Sequence, residues 1–273
     1  MPIECEIPVC ASDDATFEVT DKVVMACAYA AHNKLGRLCD ERVYETDLAA
    51  RLRAESLAQV HTQVPVMVTF RNFEKLYSLD LVANGVVYEL KTVDFLTSVH
   101  DTQVYHYAAL LGIDRIKLMN FGAHRVEGRL RRSPFARMDR QKVICDTSQW
   151  QPLSDRCISL ANDAHACLRD WGGFLGATLF EEALVFFNGG ESVCVRRLPI
   201  TRDKLVLGHH KVSLHAQDVA FVVTSIPNDT RIHEIHLRSL LSVLPLQGLQ
   251  WINVHHNSMR MITLTSPKST TVH

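Results

Sequence analysis

The chain has 273 residues, with 29 basic against 30 acidic side chains and a formal net charge of −1. Domains commonly run about 100–150 residues, so one minimal core is excluded and two domains are expected. The even balance rules out polyanion binding through bulk charge, and no apolar run approaches the ~18 residues of a membrane span.

The N-terminus lacks a basic stretch followed by an apolar core, so no secretory leader is expected and a reduced, cytoplasmic setting is the simplest account. An apolar helix spans residues 22–35, from Lys22 to Leu35, and Gly36 stops it. Its Tyr29 and His32 are expected to pack in the core. A second helix begins near Asp40 and carries Glu41 and Tyr44.

The richest segment is the hairpin Leu79–Lys91. Asn84-Gly85 is a strong two-residue turn signal, because both central positions of a type I′ turn need positive φ. With that turn Ala83 faces Val86, Val82 faces Val87, Leu81 faces Tyr88, and Asp80 lands opposite Glu89. Lys91 returns to the face of Glu89 through the strand period of two. Adjacent carboxylates repel unless a cation lies between them, and hard divalent cations such as Mg²⁺ or Mn²⁺ take carboxylate oxygens. The lysine is suited to orienting water and offsetting charge on a phosphate. A solvent-facing strand surface explains the hairpin alone equally well.

Downstream, Thr97 or Ser98 caps a helix, with Asp101 placed to complete a capping box and Gly112 to end it. His100, Gln103 and Tyr107 share one face by their i, i+3, i+7 spacing. The stretch Arg125–Lys142 holds Arg125, Arg129, Arg131, Arg132, Arg137, Arg140 and Lys142 against Glu127 and Asp139. It reads either as a phosphate-binding strip or, given Ser133-Pro134, as a solvated linker between domains.

Cys5, Cys10, Cys27, Cys39, Cys145, Cys157, Cys167 and Cys194 contain no C-x-x-C pair, so free buried thiols are expected rather than a zinc ribbon. His209, His210, His233, His236, His255 and His256 have no HExxH or carboxylate partner at ligand spacing and read as surface or packing residues. Trp150, Trp171 and Trp251 read as core or interface aromatics, the Asn228-Asp229-Thr230 sequon as idle, and residues 266–273 as a polar tail.

Taken in order, His32-x-x-Leu35-Gly36, Glu41-x-x-Tyr44-Glu45, Leu79-Asp80-Leu81-Val82, Glu89-Leu90-Lys91, His100-x-x-Gln103-x-x-x-Tyr107 and Leu118-Met119-Asn120-Phe121-Gly122 resemble the GxxExxY proteins of the PD-(D/E)XK nuclease superfamily. The resemblance runs from about Val23 to Arg131. It departs at Leu38, where the family's first motif has glycine. It implies an α/β restriction-endonuclease-like core, a short mixed sheet flanked by helices. It also implies a Mg²⁺- or Mn²⁺-dependent phosphodiesterase acting on nucleic acid, most naturally DNA. Asp80, Glu89 and Glu41 would hold the metal and Lys91 would complete the catalytic set. Gln103, Tyr107 and His100, with Arg129, Arg131 and Arg132, form the candidate substrate-binding set. A catalytically weak nucleic-acid-binding or adaptor protein on the same fold is the alternative.

Laid over the first half, Gly172, Leu179, Phe180, Glu181 and Leu184 fall on Gly36, Val43, Tyr44, Glu45 and Leu48 at one shift (172 − 36 = 136). At a shift of 133 (219 − 86), Val219, Phe221, His233 and Asn253 fall on Val86, Tyr88, His100 and Asn120. Glu41 falls on Ala177 at the shift of 136, and Asp80, Glu89 and Lys91 on Ser213, Val222 and Thr224 at the shift of 133. Gln103 and Tyr107 fall on His236 and Leu240. The expectation is a nuclease-like domain over 1–132, a basic linker over 133–149, a degenerate copy without the acids over 150–265 and a tail over 266–273. The chain would be a monomer with an internal pseudo-dimer, or a homodimer. An unrelated α/β second domain is the other reading.

Overall fold

Asp13 accepts a hydrogen bond from the Thr16 amide at 2.7 Å, so the first helix starts at Asp14 rather than at the apolar run from Lys22. The computed structural model describes residues 3–9, 13–133, 137–227 and 229–266. Cys10, Pro134, Asn228 and the tail from 267 lie outside the described residues, as does the Arg137 side chain. The chain divides into two units, Met1–Met138 and Asp139–His273. Both are mixed α/β. Among the described residues no helix is long and apolar enough to cross a membrane, and the seven described cysteines are free thiols.

The first unit runs β1 (Ile3–Cys5), α1 (Asp14–Leu35), α2 (Glu41–Ala54), β2 (Val60–Phe70), β3 (Phe73–Ala83), β4 (Val86–Lys91), α3 (Ser98–Leu111), β5 (Arg115–Asn120) and β6 (Glu127–Arg132). These strands make one sheet in that order, with β4 and β5 parallel and every other pair antiparallel. Asn84 (φ 47°) and Gly85 (φ 79°) take the positive φ that the turn demands, and Leu81, Val82 and Ala83 face Tyr88, Val87 and Val86 as expected. The ladder stops there: Asp80 and Glu89 are not ladder partners.

Val24, Ala28 and Ala31 of α1 and Tyr44, Leu48 and Leu52 of α2 bury against Leu81, Tyr88, Leu90 and Met119 of the sheet. The pleat therefore sends Glu89 and Lys91 to the opposite face. Tyr29 is no core residue, being 47% exposed, while His32 is half-buried with Nε2 3.1 Å from the Ala123 carbonyl. At the corner between the helices Gly36 adopts φ 72°, and the fully buried Tyr44 donates its hydroxyl to the Gly36 carbonyl at 2.6 Å and accepts from the Cys39 amide at 3.3 Å. The glycine missing at Leu38 is thus not needed for the corner, and Leu38 itself stands in solvent at 90% exposure.

Residues 133–149 do more than link. A 3₁₀ turn occupies Arg137–Gln141, and β7 (Ile144–Gln149) is a strand of the second sheet. Arg140 is buried and donates to the Trp171 carbonyl at 2.7 Å. The second unit continues with α4 (Asp155–Trp171), α5 (Ala177–Phe187), α6 (Glu191–Cys194), β8 (Val195–Arg202), β9 (Leu205–Ala216), β10 (Val219–Thr224), α7 (Arg231–Val243), β11 (Gly248–His255) and β12 (Ser258–Thr265). Its sheet order is β7-β12-β11-β10-β9-β8. Strands β8 to β12 repeat the pairing of β2 to β6, with β10 and β11 parallel.

The registers repeat too. Tyr88 pairs with Lys117 and Lys91 with Asn120, while Phe221 pairs with Gln250 and Thr224 with Asn253. Asn120 clamps Val93 through both backbone groups, at 3.1 and 2.8 Å, and Asn253 clamps Ile226 in the same way, at 2.8 and 3.0 Å. Two features differ. The extra strand lies on β2 in the first unit and on β12 in the second. A bulge at β9 sets Leu214 opposite Ala220 and Ser213 opposite Phe221, so Ser213 holds the ladder place of Leu81, not of Asp80. The residue squeezed out is His215, whose ring sits 3.1 Å from both the Cys157 sulfur and the Val219 carbonyl.

Tyr44→Phe should cost about 1 kcal/mol, because the buried tyrosine loses its hydroxyl's bonds to the Gly36 carbonyl and the Cys39 amide. Urea unfolding of the two proteins measures it.

Candidate active site

The site is built where the sheet comes apart. Thr62 pairs with Leu81 and Val64 with Leu79, but between them Gln63 (φ 52°) and Asp80 are unpaired. Asp80 is therefore released from the ladder on both sides. Its carboxylate Oδ2 instead accepts the Leu90 amide at 2.7 Å, which ties it to β4 beside Glu89. Glu89 is 1% exposed; Lys91 donates to its Oε1 at 2.6 Å and to the Leu90 carbonyl at 2.8 Å. The other oxygen of Glu89, Oε2, is buried with no hydrogen-bond partner.

Helix α2 brings two acids toward these strands. Burial raises the Glu41 carboxyl, with Lys91 opposing and Asp80 and Glu45 adding to the rise. Glu45, one turn on and 2% exposed, takes Arg42 at 2.7 Å on one oxygen and the Gln63 amide on the other; Ser78 donates to Gln63 at 3.0 Å. Reasoning from the hairpin and the helix face does not reach Glu45 and Gln63 as members of the site. Their signal is a non-glycine residue at positive φ opposite Asp80, which only the ladder reveals.

From α3, Gln103 donates to the Tyr107 hydroxyl at 3.3 Å. Tyr107 is 7% exposed, and burial first, then Glu89 and Asp80, push its phenol up. The rest of the candidate substrate-binding set is otherwise engaged. His100, not Asp101, completes the capping box, accepting the Thr97 amide on Nδ1 at 2.9 Å. Asp101 instead holds Arg131 at 2.6 and 3.0 Å, Glu127 holds Arg129, and Asp14 holds Arg132 at 3.1 Å. The basic strip of the first unit is neutralised largely by acids that are remote in sequence, so it offers little free charge to phosphate.

Electrostatics follow from crowding and dryness. Burial, then Asp80, drive Glu89 up to about 8, against the pull of Lys91. From an ordinary value near 4.5 that rise is worth roughly 5 kcal/mol. Burial also raises Asp80, although the Leu90 amide and Lys91 oppose it. Burial alone would lower Lys91, yet Glu89, Glu41 and Asp80 together lift it.

Among the described residues no three His, Cys, Asp or Glu side chains gather as a ready metal cage. Asp80 and Glu89 nonetheless fit a hard divalent ion. They are oxygen donors, both are disfavoured as anions without a counter-charge, and Glu89 Oε2 has a vacant lone pair. Mg²⁺ is commonly held by one or two carboxylates with water and phosphate supplying the rest.

Residues 18–133 match the family model of the PD-(D/E)XK nuclease superfamily, whose members are nucleases that generally use divalent metals. The mixed sheet with flanking helices agrees with that fold. Comparison with curated proteins and comparison with solved structures gave no match.

A carboxyl whose pKa is raised by folding stabilises the protein fully below its unfolded value and loses that contribution as pH rises through its folded value. Relative to Glu89→Gln, the wild type should lose thermal stability between about pH 4.5 and pH 8. Melting curves of both proteins across that range measure the gap. Added Mn²⁺ should narrow it in the wild type only.

Proposed function

We propose that the first unit is a divalent-metal-dependent nuclease of the GxxExxY type, hydrolysing phosphodiester bonds of DNA. The observation that carries the reading is the convergence of Asp80, Glu89 and Lys91 where the ladder is interrupted, with a buried Glu89 oxygen left without a partner. A scaffold gains nothing from holding carboxylates together in a dry site. Asp80 and Glu89, with Glu41 near them, would hold the ion, which when bound supplies Lewis-acid polarisation of the phosphate and a more acidic water. Lys91 already orients Glu89, and its ammonium is the group here best able to meet charge growing on a phosphate oxygen. Gln103 and the Tyr107 hydroxyl offer donors to the strand being cut.

The second unit is read as a degenerate copy of the first. The repeated pairing, the shared register of β4/β5 and β10/β11 and the matching asparagine clamps support common descent. Val222 and Thr224 stand where Glu89 and Lys91 stand, and Trp251 donates to the Thr224 hydroxyl at 2.7 Å. A hydroxyl and an indole cannot replace two carboxylates around a hard dication. The copy therefore carries no second metal site of this kind.

The test is a panel of labelled single- and double-stranded DNA and RNA incubated with Mg²⁺, Mn²⁺ or EDTA. Cleavage of DNA that needs the ion is expected, and Asp80→Asn and Glu89→Gln should abolish both cleavage and calorimetric Mn²⁺ binding. Unchanged metal affinity in both variants rejects the site. Lys91→Ala should bind metal and DNA yet turn over about 100- to 1000-fold more slowly, the usual scale for one preorganised electrostatic group. The adaptor reading is favoured instead if metal binds and no substrate of the panel is cut.

A further inference from the structure

Among the described residues, a dense group of basic side chains with few acidic partners lies on the β8–β9 hairpin of the second unit rather than on the strip around Arg129. Residues 195–216 hold Arg196, Arg197, Arg202, Lys204 and Lys211 against Asp203, a net of +4 (5 − 1). The corresponding hairpin of the first unit, 60–83, holds Arg71 and Lys75 against Glu74 and Asp80, a net of zero (2 − 2). All five basic residues of the β8–β9 hairpin, with His209 and His210, are exposed. Among the described residues Arg197, Arg202 and Lys204 form no ion pair, while Lys211 reaches Glu191 at 3.8 Å between two exposed side chains and also opposes the rise of the Glu181 carboxyl on α5. Arg196 is engaged by the Ser192 and Val195 carbonyls.

Backbone pairing gives this charge a shape. Strand β10 takes up only Ser213, Leu214 and Ala216 of β9, so residues 205–212 pair with β8 alone. Strand β8 is the sheet edge and lacks the covering strand that β1 gives to β2. The result is a two-stranded ribbon roughly 25 Å long, at about 3.3 Å per residue. Leu198 and Ile200 turn one face of it into the core. On the other face Arg197 stands directly across from Lys211, and Pro199 across from His209. Like charges placed opposite each other destabilise a ladder. Their juxtaposition on a solvent face is relieved when an anion lies across both. At the tip Leu205, Val206 and Leu207 are 61%, 54% and 52% exposed, beside Arg202 and Lys204.

We infer that the β8–β9 ribbon is a nucleic-acid-binding surface, holding the phosphate backbone of the polymer through Arg197, Lys211, Arg202 and Lys204. A two-stranded ribbon has the width of a duplex major groove, and an apolar tip among cations suits contact with base or sugar surface. The choice of nucleic acid among polyanions rests on the nuclease reading above; the location of the surface does not. The second unit, with Val222 and Thr224 where the first has Glu89 and Lys91, would then capture substrate without performing chemistry on it.

The experiment is fluorescence anisotropy of labelled duplex and single-stranded DNA with the full chain in EDTA, over a series of salt concentrations. The variant is R197E/R202E/K204E, whose side chains are all exposed, checked by an unchanged melting temperature. Binding should weaken at least tenfold, and the salt dependence should flatten by about one unit of slope per phosphate contact removed. Equal affinity and slope in variant and wild type overturn the proposal. So does a wild type that sediments with phosphatidylserine vesicles but does not bind DNA. No cleavage occurs in EDTA, so the two readings fail separately. Lost binding with a wild type that never cuts DNA keeps the ribbon and rejects the nuclease. Asp80-dependent cutting with unaltered binding does the reverse.

Discussion

The hydrogen bond from the Leu90 amide to the Asp80 carboxylate is the constraint on which the first unit turns. In an uninterrupted ladder that amide would look to a backbone carbonyl, and Asp80 would be one more alternating side chain on a strand. Because Gln63 adopts φ 52° across from it, β3 loses its pairing at Asp80 on the β2 side as well. The aspartate then acts as the pin between two diverging strands. Glu89 is carried into a buried position next to it, and the cost of ionising that residue becomes large. Local backbone irregularity and electrostatic stress have the same origin here, as is common at functional sites.

The second unit shows what the same frame does when the pin is absent. The asparagine clamp on the loop after the central strand and the β-strand register persist, since both are backbone matters that apolar and amide residues satisfy. The departure falls on the strand that would bear the aspartate. A bulge expels His215, which settles between the Cys157 thiol and the Val219 carbonyl; burial drives its imidazole down to about 4, so it is neutral in the fold. With Nδ1 donating to the carbonyl, Nε2 is left to accept from the thiol. A buried neutral pair thus takes up the irregularity that in the first unit sets two carboxylates beside each other.

Much of this is legible in the residues. Asn84-Gly85 sets the turn, the alternation from Leu79 to Lys91 sets the faces, and the shift of 133 anticipates the register that β10 and β11 share with β4 and β5, although not the place of Ser213. What escapes is long-range. The arginines of Arg125–Lys142 look unbalanced because their partners Asp14 and Asp101 lie far away in sequence. Residues 144–149 look like linker because a strand that is mostly exposed at a sheet edge has no apolar alternation to show. The interruption at Gln63 and the bulge at His215 cannot be read at all, since neither position holds glycine and each depends on a partner strand.

Charge placement completes the contrast between the units. In the first, nearly every basic side chain around β5 and β6 is matched: Arg115 with Asp14 and Asp114, Lys117 with Asp21, Arg131 with Asp101. Such pairs hold the sheet margin together and cancel the field that a polyanion would feel beyond a screening length. In the second, the acids are absent from β8 and β9 and from the turn between them apart from Asp203, so the field of that hairpin survives. A chain whose net charge is −1 can therefore still present one strongly cationic surface, provided that its acids are concentrated elsewhere. Here 18 of the 30 acidic residues lie in the first unit, residues 1–138, and the β8–β9 hairpin of the second holds only Asp203.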